Sequence, residues 1–255
     1  MRKKIYRALP KRIQTLVLRT YNIFHFAKNP GNYRIKRDPY DDISEIIDVS
    51  SPVIVDGGAH IGKTVNEFLD RFQDPTIHAF EPLHQHLNEL ESRFGSDAKV
   101  TIHNKALGPE NGKVPINVLN STSSSSVYRP SNIKQDYREQ AGKNRESYEV
   151  RNTVEVPQVR LDDQLEHVDI MWLDLQGYEL SALKGSENLL PKCSAILTEV
   201  EFIPYYKDQP LFKEIHRFMV DKGFNLFFIY HGYIEPDGRL ASGDVLYINE
   251  EIDVI

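Results

Sequence analysis

From about residue 51 onward, short apolar runs alternate with stretches of helical period. Residues 52–56 predict a buried strand that ends at a glycine turn, and in the segment after it Val65, Phe68, Leu69 and Phe72 share one face of a helix. Residues 76–80 predict the next strand, and Leu83, Leu87, Leu90 and Phe94 form the apolar face of the next helix. Further strands are expected at 100–102, 168–173 and 195–200, a helix through Leu211, Phe212, Ile215, Phe218 and Met219, and late strands at 225–230 and 244–249. Strands alternating with helices of this length imply an α/β fold, a doubly wound and mostly parallel sheet covered on both faces. Ligands bind such sheets at the carboxyl ends of the strands.

Two stretches depart from the alternation. Residues 109–160 carry strand-like runs at 114–119 and 148–159 around a polar segment, 120–146, which predicts an inserted β-hairpin with a mobile loop over the active-site edge. Ahead of residue 51, Ile5, Leu9, Ile13, Leu16 and Val17 recur at helical spacing between basic residues. The expected organisation is therefore a basic, partly helical N-terminal arm over 1–50 and a main domain over 51–255 that includes the insertion.

Composition narrows this picture and charge sharpens it. With 255 residues and 40% hydrophobic positions, collagen-like, low-complexity and wholly disordered chains are excluded. All 37 acidic side chains, but only 20 of the 31 basic ones, lie beyond residue 37, so the net charge of -6 hides a basic arm on an acidic body. The arm lacks the apolar core of a secretory signal, because its longest uncharged stretch before Arg19 is 13–18. Its amphipathic spacing suits packing on the body or on a second subunit, with a membrane surface as the other candidate partner and a transit peptide as a minor one. One cysteine, Cys193, allows neither an intramolecular disulfide nor a zinc finger, which points to a reducing, cytoplasmic setting.

The chemistry concentrates at strand ends. The first strand runs into Asp56-Gly-Gly-Ala-His-Ile-Gly62, a glycine turn leading to a helix N-terminus where backbone can approach a ligand. It matches neither the phosphate-gripping G-x-x-x-x-G-K-[ST] nor the dinucleotide G-x-G-x-x-G, so a nicotinamide oxidoreductase is disfavoured. Asp56 would repel a pyrophosphate and attract a ligand cation. Glu81, at the end of the second strand, is placed to take the hydroxyls of a ribose. A positively charged nucleoside, S-adenosylmethionine, satisfies both. The cofactor-binding candidates are Asp56, Gly57, Gly58, His60, Gly62, Glu81, Asn104, Ala106 and Asp174, with Asn104 and Ala106 at the rim where an adenine would rest. The fourth strand delivers Asp174 and, in the following turn, Glu179, whose alternative role is to stabilise the start of the next helix. The fifth strand ends in Glu199 and Glu201, which share a face because strand side chains alternate. Asp174, Glu199 and Glu201 are thus candidates for a general base or for ligands to a divalent cation such as Mg2+.

These segments, with Phe80-Glu81-Pro82, Asn104-Lys-Ala-Leu-Gly108, the serine run 121–126, Leu173-Asp-Leu-Gln-Gly-Tyr-Glu-Leu180 and Asp244-Val-Leu-Tyr-Ile-Asn249, occur in an order that resembles the FkbM-type family of S-adenosylmethionine-dependent methyltransferases. The resemblance spans about 51–250 and leaves out the basic arm. It implies a Rossmann-like class I methyltransferase fold, cofactor contacts at Asp56, Gly58, Gly62 and Glu81, a site-forming signature at Asp174 and Glu179, and methylation of oxygen on small molecules or sugars. The chain departs from the family pattern at His60, where Asn is commonest, and at Gln176, where the signature usually reads D-x-E-G.

The expected reaction is attack of an acceptor hydroxyl on the sulfonium methyl, with a base removing its proton. Asp174 is the first candidate, Glu199 or Glu201 its partner, and His60 a further candidate that is better suited to shaping the loop. The serine run could contact a polar acceptor, and the basic residues Arg129, Lys134, Arg138, Lys143 and Arg145 an anionic one. The rival reading is a weak or inactive methyltransferase-fold module that the arm docks to a membrane or to RNA, which Gln176 favours. Nucleic acid is a poor substrate for so acidic a body.

Overall fold

The structure is a computed structural model that describes residues 37–47, 49–133, 136–137 and 145–249. The arm as far as residue 36, and with it the amphipathic spacing at Ile5 to Val17, lies outside the described residues, as do Lys134, Arg138 and Lys143. Seven strands form the central sheet: β1 (Val53–Gly57), β2 (Thr76–Phe80), β3 (Val100–His103), β7 (Ile170–Leu173), β8 (Ala195–Glu201), β9 (Phe224–Ile234) and β10 (Leu240–Asn249). Their order is β3-β2-β1-β7-β8-β10-β9, and every pairing among the first five is parallel. β10 runs antiparallel to both its neighbours. The chain is thus a doubly wound α/β protein whose mostly parallel sheet ends in an antiparallel hairpin.

Period-two alternation explains how that sheet is covered. Ile54, Ile77, Ala79, Ile170, Trp172, Leu197 and Leu246 face one apolar layer with α1 (Pro39–Ile46), α2 (Lys63–Arg71) and α3 (His84–Phe94). Val55, Phe80, Met171, Leu173, Ile196 and Tyr247 face the other, against α4 (Glu179–Lys184) and α5 (Phe212–Asp221). Central strands covered on both sides must be apolar throughout, as β7 is at all four positions. Each large side chain buried this way stabilises the fold by roughly 1.5–3 kcal/mol.

α1 belongs to this body although it precedes residue 51. Asp38 caps it by accepting from the backbone N–H of Tyr40 and Asp41, Pro39 takes the first turn, and Ile43 is buried in the core. Among the described helices none is long and apolar enough to cross a membrane.

A second, three-stranded sheet stands over the carboxyl edge of the first: β4 (Ala106–Leu107), β6 (Val150–Val159) and β5 (Gly112–Leu119), in that order. β5 and β6 pair antiparallel, and Leu83, Ala106, Val114, Ile116, Val118 and Val156 give this roof an apolar cluster of its own. The hairpin of β9 and β10 extends further than the apolar runs at 225–230 and 244–249 predict. Its distal residues on β9, His231-Gly-Tyr-Ile234, are exposed throughout, whereas on β10 Ala241 is buried against Tyr205 and Tyr206.

Candidate active site

The loop after β1 is built from backbone that few residues tolerate. Gly58 (φ 83°), His60 (φ 50°) and Gly62 (φ 77°) all adopt left-handed conformations. Gly58 is required twice over, since a Cβ there would lie 2.0 Å from the carbonyl oxygen of Asp174. The N–H groups of Gly58 and Ala59 donate to the carbonyl of Phe80, and the N–H of His60 donates to Glu81 Oε2 at 2.9 Å. Loop and second strand are therefore fixed to each other before any ligand arrives.

A cavity of about 500 Å³ opens at this edge, large enough for a cofactor-sized molecule. Of the residues predicted from sequence, Gly58, His60, Glu81, Ala106 and Asp174 line it. Gly57 and Gly62 sit behind the wall. A Cβ on Gly57 would meet Leu173 at 2.9 Å and one on Gly62 would meet the Phe94 ring at 2.2 Å, so both glycines permit close packing. Asn104 also works from behind, its Nδ2 donating to the carbonyls of Glu81 and Pro82 at 3.1 Å and holding that turn in place.

Asp56 and Glu81 differ in what they lack. Asp56 is fully buried, and neither carboxylate oxygen has a hydrogen-bond partner among the described residues. Burial pushes its pKa well above the ordinary Asp value, and the charges of Asp174 and Glu81 push it further. Unlike the other carboxylates predicted for cofactor binding, Glu81 and Asp174, Asp56 does not line the cavity but stands behind the wall, where a carboxyl without a partner favours its protonated form. Glu81 is satisfied in part, accepting from His60 N–H and from Leu83 N–H at 2.8 Å. Each oxygen keeps a second lone pair for a hydroxyl. His86, which sequence reasoning did not single out, lies 3.4 Å from Glu81 through Nδ1 and 3.1 Å from Thr122 Oγ1 through Nε2, with its ring 4.0 Å from that of His60. His60 is thereby held in the loop's framework, and burial and the neighbouring His86 lower its pKa.

The turn after β7 is an acidic cluster with an amide at its centre. Gln176, left-handed at φ 53°, donates through Nε2 to Asp174 Oδ1 at 2.7 Å and to Glu199 Oε2 at 3.0 Å. Tyr206 approaches the amide oxygen of Gln176 at 2.9 Å and the carbonyl of Ser124, in the roof, at 2.8 Å. Glu179 closes the turn on itself, its Oε1 accepting from the N–H groups of Leu175 and Gly177 at 2.6 and 3.2 Å. This is the helix-start role, and burial pushes the pKa of Glu179 well above the usual range. The carboxylates close enough to share a cation are Asp174, Glu179 and Glu199. Glu201 stands outside that group, buried where its charge bears on Glu179, and neither Glu199 nor Glu201 lines the cavity.

The serine run is tied down rather than loose. Ser126 Oγ donates to the carbonyl of Gln176 at 2.7 Å, Ser125 Oγ accepts from Leu119 N–H at 3.1 Å, and Thr122, Ser123, Ser125 and Ser126 line the cavity. At the far wall stand Tyr40, Trp172, His231 and Asp244, none of which the sequence marked as functional. Tyr40 stacks on Trp172, and His231 Nδ1 is 2.7 Å from Asp244 Oδ2.

A glycine loop held against a second-strand carboxylate, beside a cavity lined by serine and threonine hydroxyls at the carboxyl edge of a doubly wound sheet, is an arrangement suited to binding a nucleoside. The family model described as the methyltransferase FkbM domain matches residues 56–226, and the chain belongs to this family of S-adenosylmethionine-dependent methyltransferases. It is 26% identical over 183 residues to the 2-O-methyltransferase NoeI of Sinorhizobium fredii, covering 67% of this chain and 70% of that protein. Among solved structures it is similar to an rRNA methylase from Streptococcus thermophilus (10% identity, TM-score 0.48, 85% of this chain and 99% of that one). It is also similar to the fibrillarin of Aeropyrum pernix in complex with natively bound S-adenosyl-L-methionine (10% identity, TM-score 0.44, 82% and 73%). The residues present fit the donor at its sugar: Glu81 lines the cavity and keeps acceptors for ribose hydroxyls, whereas Asp56 stands behind the wall and does not line it.

Proposed function

We propose that the chain transfers the methyl group of S-adenosylmethionine to a hydroxyl of a small molecule, sugar or glycan. The observation that carries this reading is the pairing, in one cavity, of the glycine loop and Glu81 at one end with the hydroxyls of Thr122, Ser123, Ser125 and Ser126 in the roof. A polyhydroxylated acceptor matches such a roof, and the similarity to a 2-O-methyltransferase supports oxygen as the atom methylated. Bound S-adenosylmethionine supplies an electrophilic methyl group. This chain's residues hold and align the two reactants and exclude water, the main contribution a protein makes to such a displacement.

No divalent cation is needed for this reading. Gln176 already places an N–H donor between Asp174 and Glu199, where a cation would otherwise bring the two carboxylates together. Gln176, the departure that favours a docked, inactive module, is accounted for by its hydrogen bonds to Asp174 and Glu199, and no other observation among the described residues supports that reading. The basic arm's proposed partner remains the acidic body, a second copy or a membrane surface, and the residues that decide this lie before Arg37.

The test uses methyl-labelled S-adenosylmethionine with a panel of methyl glycosides of hexoses and deoxyhexoses. Transfer of label to a glycoside hydroxyl is the expected result. Stabilisation of the protein by S-adenosylhomocysteine with no labelled glycoside would sink the hydroxyl reading and leave the methyltransferase in need of another acceptor.

A further inference from the structure

The family reading leaves unexplained a histidine and aspartate pair at the mouth of the cavity, on the antiparallel hairpin. Asp244 lies opposite Tyr230 across β10 and β9, and Ser242 lies opposite Tyr233. Two residues of β9, His231 and Gly232, therefore face a single residue of β10, Gly243. That is a β-bulge, and its first residue is left-handed, with His231 at φ 49°. In a regular ladder His231 would point away from the face that Tyr230 shares with Asp244. The bulge turns the imidazole back, so that Nδ1 reaches Asp244 Oδ2 at 2.7 Å. A non-glycine residue in this conformation is strained, and strain of this kind persists where the surroundings enforce it.

The hydrogen bond fixes the chemistry of the ring. Burial raises the pKa of Asp244 and the hydrogen bond from His231 opposes the rise. Once ionised, the carboxylate only accepts, so a neutral imidazole beside it carries its proton on Nδ1 and leaves the Nε2 lone pair to take another. Asp244 is largely buried, with its side chain 18% exposed, whereas that of His231 is 60% exposed, and both line the cavity. The other candidates are placed differently: Asp174 lines the cavity but accepts from the Gln176 amide on Oδ1, Glu199 accepts from the same amide and does not line the cavity, and the His60 imidazole lies against His86 in the cofactor loop.

From this geometry we infer that His231, oriented by Asp244, is the general base that removes the proton of the acceptor hydroxyl. The inference rests on the hydroxyl reading above. As the acceptor oxygen bonds to the methyl carbon, its O–H proton passes to His231 Nε2. The carbon–sulfur bond breaks with its electron pair remaining on sulfur, which leaves a neutral thioether, and the imidazolium formed is stabilised by the carboxylate of Asp244. The proton then leaves to water from the exposed ring.

The experiment has two readouts. In isotope-edited NMR of the ligand-free protein, His231 should show the Nδ1-protonated tautomer, and D244N should lose that preference. A wild-type ring protonated on Nε2 overturns the proposal. In the glycoside assay, H231A and the size-conserving H231Q should retain stabilisation by S-adenosylhomocysteine. Their turnover should fall by about 100- to 10,000-fold, with added imidazole restoring part of the activity of H231A. Variants that stay within about threefold of wild type refute the base and leave hydroxyl methylation standing. A wild-type protein that labels no glycoside refutes both.

Discussion

Two acidic groups stand at the same edge of the sheet, and they differ in how their oxygens are met. Around Gln176, the carboxylates of Asp174, Glu199 and Glu179 each find a donor within the protein, a side-chain amide for the first two and backbone N–H groups for Glu179 Oε1, while Glu179 Oε2 has none among the described residues. At the end of β1, Asp56 is fully buried where Asp174 and Glu199 are half-buried, and neither of its oxygens has a donor among the described residues. Acids that share donors shape the turn after β7, whereas Asp56 stands unmet behind the cavity wall, beneath the glycine loop.

The largest effect that would break this contrast is that of Q176E, which replaces the bridging donor with a further carboxylate. It should cost about 2–4 kcal/mol by denaturant unfolding, and Mg2+ should recover stability for the variant but add none to wild type. Stabilisation of wild type by Mg2+ would show that the amide does not replace a cation. Next is Asp56. D56N should stabilise the ligand-free protein by about 1–3 kcal/mol, because an amide replaces a buried carboxyl without a partner, and should weaken S-adenosylmethionine binding only to the extent that the carboxylate draws the ligand's positive charge through the wall. Ligand-free melting and calorimetric titration measure the two halves, and unchanged stability would mean that the carboxyl is not left unmet. E81Q comes third. It keeps the shape but removes the charge from the ribose contacts, and a rise in Kd of about tenfold is expected by the same titration.

The smallest effect is a pH dependence, and its sign follows from the raised pKa of Asp56. A carboxyl whose folded pKa exceeds its unfolded one binds its proton more tightly when folded. Its contribution is therefore fully present below the ordinary Asp value, about 4, and is lost as pH rises through the folded value. Ligand-free wild type should lose melting temperature over that window relative to D56N. Parallel curves for the two proteins would count against the orphaned carboxylate.

The parallel half of the molecule was legible because its strands are covered on both faces. Residues 53–55 and 170–173 read as apolar runs, and the acids Asp56, Glu81 and Asp174 fall at or just after the ends of β1, β2 and β7 as expected. Lost to sequence was everything that depends on contacts between distant segments. Nothing along the chain says that Gln176 reaches Glu199, or that Gly62 serves the ring of Phe94 rather than a ligand. His231 escaped for a different reason. A bulge interrupts the alternation by which strand faces are read, and the apolar run at 225–230 stops one residue short of it. The signal that could have found it is local: His-Gly in one late strand, and Gly-Asp in the strand that returns beside it.

The hydroxyl of Tyr206 has a single proton and two carbonyl oxygens within reach, one on the serine roof and one on the amide that steadies Asp174. One phenol thus ties the serine roof to the turn that carries Asp174, and the cavity between them keeps its height through a residue that does not line it.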